Sequence, residues 1–336
     1  METLSSDLII IGAGPSALFA AFYAGMRQLS VNIIDSLPEL GGQPKALYPD
    51  KIIYDIPAYP EISGAELIDR LSQQLARFHA TTQFSLNQEV LNLENDGEEF
   101  VVETSRATYR AKAVIIAAGN GSFSPRKVDL DQLDHYENRG VAYFVSNYTA
   151  YAGKNVAICG GGDSALDTAL ALSDYAKEIY LIHRRDRFRA HEYSVEAARQ
   201  KDNINFITPY VPTGLEGDGI NLSAIHLQKA RSDESQRIPV DQVIMAYGFT
   251  SSLGEIKNWG LDIEKNKVLV DGHCQTNRPG IFAIGDIAGY PGKTDLIVSG
   301  FGEAPTAINA AYHYIYPEKR ISPLHSSDLL KEDKNR

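Results

Sequence analysis

Two glycine-rich turns have the composition and position needed to bind the pyrophosphate of a dinucleotide. Gly12-Ala13-Gly14 follows the apolar run 8–11, and Gly160-Gly161-Gly162 follows the apolar run 156–159. The first glycine of such a turn allows a sharp bend from strand to helix, and the next lets the backbone approach the phosphates. Free amides and the positive end of the helix then attract phosphate oxygens. The predicted nucleotide contacts are therefore Gly12, Gly14 and Ser16 in the first turn, and Gly160, Gly162, Asp163, Ser164 and Ala165 in the second.

The residues that follow the next strand predict a different nucleotide at each turn. Asp35 follows the apolar run 31–34, where a carboxylate accepts hydrogen bonds from ribose hydroxyls. After 179–182 the sequence is instead His183-Arg184-Arg185, with Arg189 shortly beyond. Because arginine forks onto phosphate oxygens and a carboxylate would repel them, this segment favours the 2′-phosphate of NADPH. The alternatives are a glycine turn that binds nothing and a basic turn that is merely solvated.

A further group of candidate residues lies near the carboxyl end of the chain. Gly285-Asp286 follows the apolar run 281–284. A carboxylate at the end of a parallel strand lies where ligands bind in such sheets. Asp286 is therefore a candidate acceptor for a ribityl hydroxyl of FAD, with an ordinary turn aspartate as the alternative. Segment 300–307 is predicted to open an apolar helix whose positive end would stabilise negative charge on a reduced flavin.

Parallel sheets are needed to bring these residues together, and the order of the apolar runs predicts two of them. Strand, glycine turn, helix and strand follow one another from residue 8 to 34 and again from 156 to 182, the pattern of a βαβ unit. Apolar runs at 114–119 and 243–248 end in glycine and are interpreted as exits into the other domain. The predicted fold class is α/β with two Rossmann-like dinucleotide-binding domains: an FAD-binding domain of residues 1–119 and 248–336, interrupted by an NADPH-binding domain of residues 120–247.

Composition and charge exclude several other classes of protein. The chain has 336 residues and a formal net charge of −11, with a pI near 5.2, so neither nucleic acid nor a membrane surface is an expected partner. It lacks both a run of about 18 apolar residues and a signal-like amino terminus, which predicts a cytoplasmic address. Cys159 and Cys274 are too far apart in sequence to form a metal or disulfide motif.

Taken together, the glycine turns, His183-Arg184-Arg185 and Gly285-Asp286 resemble the thioredoxin-reductase-like flavoproteins, in which an NADPH domain interrupts an FAD domain. Further segments resemble one branch of that family, the ferredoxin (flavodoxin)–NADP⁺ reductases of thioredoxin-reductase type. The resemblance runs from about residue 6 to 328. It is carried by Gly41-Gly42-Gln43 with Tyr48-Pro49, by 119–123 (Gly-Asn-Gly-Ser-Phe), by 183–192, by 258–262 (Asn-Trp-Gly-Leu-Asp), by 299–305 and by 323–326 (Pro-Leu-His-Ser).

The resemblance implies roles for residues that spacing alone does not single out. It implies FAD contacts at Gln43, Val90 and Phe123, and it places Tyr48 on one face of the isoalloxazine. His325 would cover the other face with Ser327 beside it. Both belong to a carboxyl-terminal extension that, in this family, covers the flavin of the partner subunit in a homodimer. Judged by residue type alone, Tyr48 and His325 would more often be structural.

The reaction is predicted from what the chain lacks. A thioredoxin reductase needs two cysteines, separated by two residues, before the second glycine turn: one attacks the substrate disulfide and the other resolves the mixed disulfide. Tyr143-Phe144-Val145-Ser146 occupies that place. Electrons are therefore predicted to pass between NADPH and a one-electron carrier, ferredoxin or flavodoxin, through FAD. No side chain is predicted to act as a catalytic acid, base or nucleophile.

Other interpretations of a flavoprotein with two nucleotide sites stay open at this point. They are a flavin monooxygenase, an NADPH-dependent diaphorase or quinone reductase, and a non-enzymatic flavin redox sensor. Ferredoxins are generally acidic and the chain itself is acidic, so docking would need a local basic patch. The candidate residues for it are Arg126-Lys127, Lys154 and Lys319-Arg320.

Overall fold

The computed structural model describes residues 3–137, 139–145 and 147–320, and the chain divides into two compact units. The first unit comprises residues 1–123 and 251–336, and the inserted unit comprises residues 124–250. From the sequence, the boundaries of the inserted unit were predicted a few residues earlier, at 119/120 and 247/248. The crossing segments therefore begin slightly beyond the glycines that were interpreted as exits.

The elements of the chain are labelled here in chain order. Before the insertion they are β1 (Thr3–Ile11), α1 (Pro15–Met26), β2 (Val31–Ile34), α2 (Gly42–Leu47), β3 (Ile52–Ile53), β4 (Ile62–Ser63), α3 (Gly64–Leu75), β5 (Thr82–Ser85), β6 (Val90–Asp96), β7 (Glu99–Thr104) and β8 (Thr108–Ile116). The crossing strand β9 (Ser122–Pro125) leads to α4 (Leu133–Tyr136), β10 (Val141–Ala142), β11 (Asn155–Cys159), α5 (Asp163–Leu172), β12 (Glu178–Ile182), α6 (Glu192–Arg199), β13 (Ile204–Ile207), β14 (Tyr210–Gly217), β15 (Leu222–Lys229), β16 (Ser235–Pro239) and β17 (Gln242–Met245). The crossing strand β18 (Phe249–Ser252) leads back to β19 (Ile263–Glu264), β20 (Lys267–Leu269), β21 (Ile281–Ala283), β22 (Ala288–Gly289) and α7 (Ile297–Ile315).

The first unit is organised around a sheet with the strand order β5-β2-β1-β8-β7-β6, and β21 also pairs with β8. β5, β2, β1, β8 and β21 run parallel, whereas β7 and β6 continue the sheet as antiparallel strands. Ile10 on β1 is in register with Ile33 on β2 and Ile115 on β8. Both faces of β1 are covered, which is why Leu8, Ile9 and Ile10 are fully buried and the run is apolar without alternation.

Two helices pack on this sheet beside the first glycine turn. In α1 the extended Gly14 is the N-cap, and Pro15 occupies the first helical turn, where no backbone donor is required. Its buried face consists largely of alanine, which lets the helix lie close to the strands. α7 begins at Ile297, before Gly300, where the sequence analysis placed its start. Gly300 therefore lies inside the helix, where a side chain would overlap the hydroxyl of Ser16 on α1.

The inserted unit repeats the parallel arrangement on a smaller scale. Its main sheet has the order β10-β17-β11-β12-β13, all parallel, and a separate antiparallel sheet has the order β14-β15-β16. The register pairs Cys159 at the end of β11 with Ile182 on β12 and Met245 on β17. Both units thus have the predicted α/β architecture. Among the described residues of the chain, no helix is long and apolar enough to cross a membrane.

The two cysteines lie in the cores of different units. Cys159 in the inserted unit is 0% exposed and Cys274 in the first unit is 5% exposed, and both are free thiols. Burial raises the pKa of each thiol to about 12. Because the thiolate is the reactive form, neither cysteine is suited to attack a disulfide at neutral pH.

We expect both thiols to resist alkylation in the folded protein. At pH 7.5 a thiol with a pKa near 12 is almost wholly protonated, and its burial also excludes the reagent. After treatment with iodoacetamide, mass spectrometry should find no modified cysteine in native protein and two in protein unfolded in guanidinium. Rapid labelling of either cysteine in the native protein would contradict this assignment.

Candidate functional site

The first unit contains a cleft at the carboxyl ends of its parallel strands. The empty space inside it is about 1300 Å³, a value that includes its open mouth. All predicted FAD contacts in the described part of the chain line this cleft: Gly12, Gly14, Ser16, Asp35, Gln43, Tyr48, Val90, Phe123 and Asp286. His325 and Ser327 lie outside the described residues.

Gly12 and Gly14 are required for different physical reasons. Gly12 has a φ of 106°, and a side chain there would overlap the carbonyl oxygen of Ala117 at the exit of β8. Gly14 has an ordinary φ of −77°, and a side chain there would meet no protein atom within 4 Å. Gly12 therefore serves the fold, whereas Gly14 leaves space at the amino end of α1. That space fits a ligand with phosphate groups, which helix amino ends attract.

Asp35 is held at the edge of the cleft by backbone amides. Its Oδ2 accepts a hydrogen bond from the amide of Ala13 at 2.6 Å, and its Oδ1 accepts one from the amide of Leu37 at 2.8 Å. Burial raises the pKa of this carboxyl, although the amide donors act in the opposite direction. The carboxyl group is thus fixed between the glycine turn and the end of β2. The lone pairs that these two bonds leave free are suited to accept hydrogen bonds from sugar hydroxyls.

Tyr48 and Asp286 lie in the same cleft and influence each other. Burial raises the pKa of Tyr48, and the charge of Asp286 adds to the effect. Burial is also the main cause that raises the pKa of Asp286, whose Oδ2 lies 3.4 Å from the side-chain amide nitrogen of Asn120. A phenol, a carboxyl group and an amide therefore meet at one place. This set can hydrogen-bond polyol hydroxyls while Tyr48 offers an aromatic surface for a planar ring.

Trp259 is a cleft residue that the sequence analysis did not assign to the site. It lines the cleft with only 4% of its surface exposed, and its indole Nε1 has no hydrogen-bond partner among the described residues. A buried donor without a partner is unusual in proteins, and such a donor at a cleft wall fits a site completed by a ligand. The segment 258–262 was noted only as part of the family resemblance, and spacing gave no reason to select its tryptophan.

The second glycine turn repeats the geometry of the first. A side chain on Gly160 would overlap the carbonyl oxygen of Ala246 at the exit of β17, whereas one on Gly162 would meet no protein atom within 4 Å. Gly162 is the N-cap of α5, and Ala165 is fully buried against this turn. Asp163 and Ser164 are exposed in the first turn of the helix. The inserted unit therefore offers a second place with the features of a pyrophosphate site.

The arginine-rich segment is tied to this turn through its backbone. The amide of Arg189 donates to the carbonyl oxygen of Gly161 at 2.7 Å, and the amide of His191 donates to Oδ1 of Asp163 at 2.9 Å. Arg184, Arg185 and Arg189 all have exposed side chains. The structure thus places three guanidinium-bearing residues on a segment bound to the glycine turn.

His183 differs from these arginines in its surroundings. It is 9% exposed, its ring occupies the space that a side chain on Gly161 would need, and its Nε2 has no partner among the described residues. Burial lowers its pKa, and the charge of Arg184 adds to the effect. The observed contacts of His183 are therefore those of a neutral ring that supports the glycine turn.

Two of the basic residues suggested for docking have close contacts within their own unit. Lys127 is bound by Glu137 at 2.7 Å and lies 3.8 Å from Asp134. Lys319 lies over the ring of Tyr316, 3.7 Å from its centroid. Lys127 thus pairs with nearby carboxylates and Lys319 with an aromatic ring.

Known proteins resemble this chain in sequence over nearly its whole length. The family model for pyridine nucleotide-disulphide oxidoreductases matches residues 6–311. A protein of Streptococcus equi subsp. zooepidemicus named ferredoxin–NADP reductase is 48% identical over 330 residues, covering 98% of this chain and 100% of the relative. A protein of the same name from Halalkalibacterium halodurans is 49% identical over 325 residues, covering 96% of this chain and 98% of the relative.

Solved structures that resemble this chain include thioredoxin reductases. Thioredoxin reductase from Lactococcus lactis superposes with a TM-score of 0.73 at 26% identity, covering 93% of this chain and 99% of that one. Thioredoxin reductase from T. acidophilum superposes with a TM-score of 0.73 at 25% identity, covering 92% of this chain and 98% of that one. The resemblance to thioredoxin-reductase-like proteins is thereby confirmed, and the chain belongs to the pyridine nucleotide-disulphide oxidoreductase family.

Proposed function

We propose that the protein is a ferredoxin–NADP⁺ reductase that binds FAD in the first unit and NADPH in the inserted unit. The observation that carries this proposal is the pairing of two nucleotide turns with two buried, unreactive thiols. A disulfide reductase of this fold would need an accessible cysteine pair, and the chain has cysteines only at 159 and 274. The relatives named ferredoxin–NADP reductase, 48% and 49% identical, support the same activity.

The residues of the cleft fit FAD in both shape and donor chemistry. Gly14 leaves space for phosphate at the amino end of α1. Asp35 is fixed where it can accept hydrogen bonds from ribose hydroxyls. Asp286 would bind the ribityl chain and Tyr48 would cover one face of the flavin ring. When bound, FAD supplies the capacity to accept a hydride and to release electrons one at a time. The protein contributes position, burial and fixed hydrogen-bond donors and acceptors.

The proposal also covers the NADPH site, the electron carrier and the second face of the flavin. Arg184, Arg185 and Arg189 would bind the 2′-phosphate of NADPH, while Gly162 and the first turn of α5 would bind its pyrophosphate. The carrier would be ferredoxin or flavodoxin, in the cytoplasm. In a homodimer His325 and Ser327 would cover the flavin of the partner subunit.

Carrier-dependent turnover is the direct test of the proposed activity. With NADPH as donor and cytochrome c as final acceptor, we expect ferredoxin or flavodoxin to accelerate cytochrome c reduction well above the rate without a carrier. Stopped-flow spectra should show reduction of the bound flavin by NADPH before that transfer. If no ferredoxin or flavodoxin accelerates the reaction while quinones do so, the protein is a diaphorase and the proposal fails.

Cofactor choice tests the arginine segment. For Arg184→Ala with Arg185→Ala we expect KM for NADPH to rise about 10- to 100-fold, since a charge-assisted hydrogen bond contributes about 1.5–3 kcal/mol. KM for NADH should stay nearly constant because NADH lacks the 2′-phosphate. Arg231→Ala is a matched control, because this exposed arginine lies outside the segment. An unchanged NADPH/NADH ratio in the double variant would remove the assignment.

The two glycines of the first turn should respond differently to the same substitution. Gly14→Ala meets no protein atom, so we expect a folded unit that binds FAD at least tenfold more weakly because the added methyl group occupies the phosphate space. Gly12→Ala forces a side chain onto Ala117 at a φ of 106°, so we expect low yield and a lower Tm. Circular dichroism melts and FAD fluorescence measure both effects. Equal FAD binding by Gly14→Ala and the natural protein would contradict the assignment of this cleft.

A further inference from the structure

Glu303 is a buried carboxyl group that no part of the proposed reaction uses. It lies on α7, and only 6% of its surface is exposed. Its partner Lys293 is equally buried, with 6% of the lysine side chain and 7% of the glutamate side chain exposed. Moving two charges out of water is costly, and an apolar pair of the same size is often at least as stable. A buried ion pair beside a ligand cleft therefore calls for an explanation other than stability.

Three donors converge on this carboxyl group. Oε2 accepts a hydrogen bond from the amide of Gly285 at 2.7 Å. Oε1 accepts one from the hydroxyl of Tyr290 at 2.6 Å and contacts Nζ of Lys293 closely. Each oxygen of the carboxylate is thus bound by the protein. The donors come from the turn after β21 and from the loop that leads to α7, so Glu303 ties those segments to the helix.

The turn that Glu303 holds is part of the cleft wall. Gly285 and Asp286 both line the cleft, and Gly285 has a φ of 72°, a conformation that favours glycine. A side chain on Gly285 would lie 2.9 Å from the hydroxyl oxygen of Ser16, so this turn packs against the start of α1. The backbone between Gly285 and Asp286 is therefore fixed from two sides, by Ser16 and by Glu303.

We propose that Glu303 is a positioning residue for the flavin, and that Lys293 neutralises its charge. The carboxylate fixes the amide of Gly285 and with it the side chain of Asp286, which faces the cleft. The ammonium group of Lys293 keeps the net charge of the buried pair near zero beside the cleft. This inference rests on the proposed binding of FAD in the cleft.

Four variants separate the effect of the hydrogen bond between Glu303 and Gly285 from the effect of the charges of Glu303 and Lys293. Glu303→Ala removes the acceptor for Gly285. Glu303→Gln keeps an acceptor oxygen but leaves the ammonium group of Lys293 unpaired. Lys293→Met leaves the carboxylate unpaired, and the double variant Glu303→Gln with Lys293→Met restores a neutral pair. Glu264→Gln is a control on a glutamate whose side chain is 65% exposed.

Two quantities are measured on the purified holoprotein: the rate of FAD release on dilution, from FAD fluorescence, and the midpoint potential of the bound flavin. We expect Glu303→Ala to release FAD at least tenfold faster, while Glu303→Gln stays within about threefold of the natural rate. The potential should rise in Glu303→Gln, because an unpaired positive charge favours electron uptake. It should fall in Lys293→Met and return close to the natural value in the double variant.

Failure of this inference is distinguishable from failure of the proposed function. Natural protein that binds no FAD overturns the proposed function itself. Natural protein that binds FAD, with a release rate unchanged in Glu303→Ala, overturns the positioning role. Equal potentials in the natural protein, Glu303→Gln and Lys293→Met overturn the charge role. Should Glu303→Ala fail to fold, a flavin potential that rises in Glu303→Gln and returns close to the natural value when Lys293→Met is added supports the inference, and a potential unchanged in Glu303→Gln overturns it.

Discussion

The close approach of backbone to backbone at the strand ends is the constraint on which both nucleotide turns depend. A side chain on Gly12 would overlap the carbonyl oxygen of Ala117, and one on Gly160 would overlap that of Ala246. In each unit, the strand that carries the turn lies directly against the exit of the neighbouring parallel strand. Because the backbone bends so tightly there, a helix can begin at the sheet edge and present its first amides to a ligand.

The two turns share this backbone geometry but differ in the side chains around them. Asp35 is drawn inward by the amides of Ala13 and Leu37, whereas Arg184 and Arg185 remain exposed on a segment tied to the second turn. A half-buried carboxyl group held by two backbone amides suits a cofactor that stays bound. Exposed guanidinium groups suit a ligand that binds and leaves in each turnover. They attract its phosphate while they remain hydrated, so no charge has to be buried before the ligand binds.

Much of the site could be predicted because its signals are local in sequence. Strand, glycine turn and following residue lie within about 25 positions, so Gly12, Gly14 and Asp35 were identifiable by spacing. Glu303 and Trp259 were not, because their importance arises from burial and from partners that no periodic pattern encodes. The start of α7 was misplaced for a related reason. Gly300 was predicted to open the helix, but it lies within it, where a side chain would overlap the hydroxyl of Ser16.

The burial of both thiols constrains where electrons can leave the protein. In a disulfide reductase the acceptor meets a cysteine pair, so recognition and electron transfer occur at the thiols. Here Cys159 and Cys274 lie in the cores, each with a pKa raised to about 12. In the proposed function a carrier would therefore have to approach the cleft itself. Tyr48 and Asp286 line that cleft, where in the proposed function they would contact the cofactor, and the buried Glu303 binds the amide of Gly285 in the turn that carries Asp286.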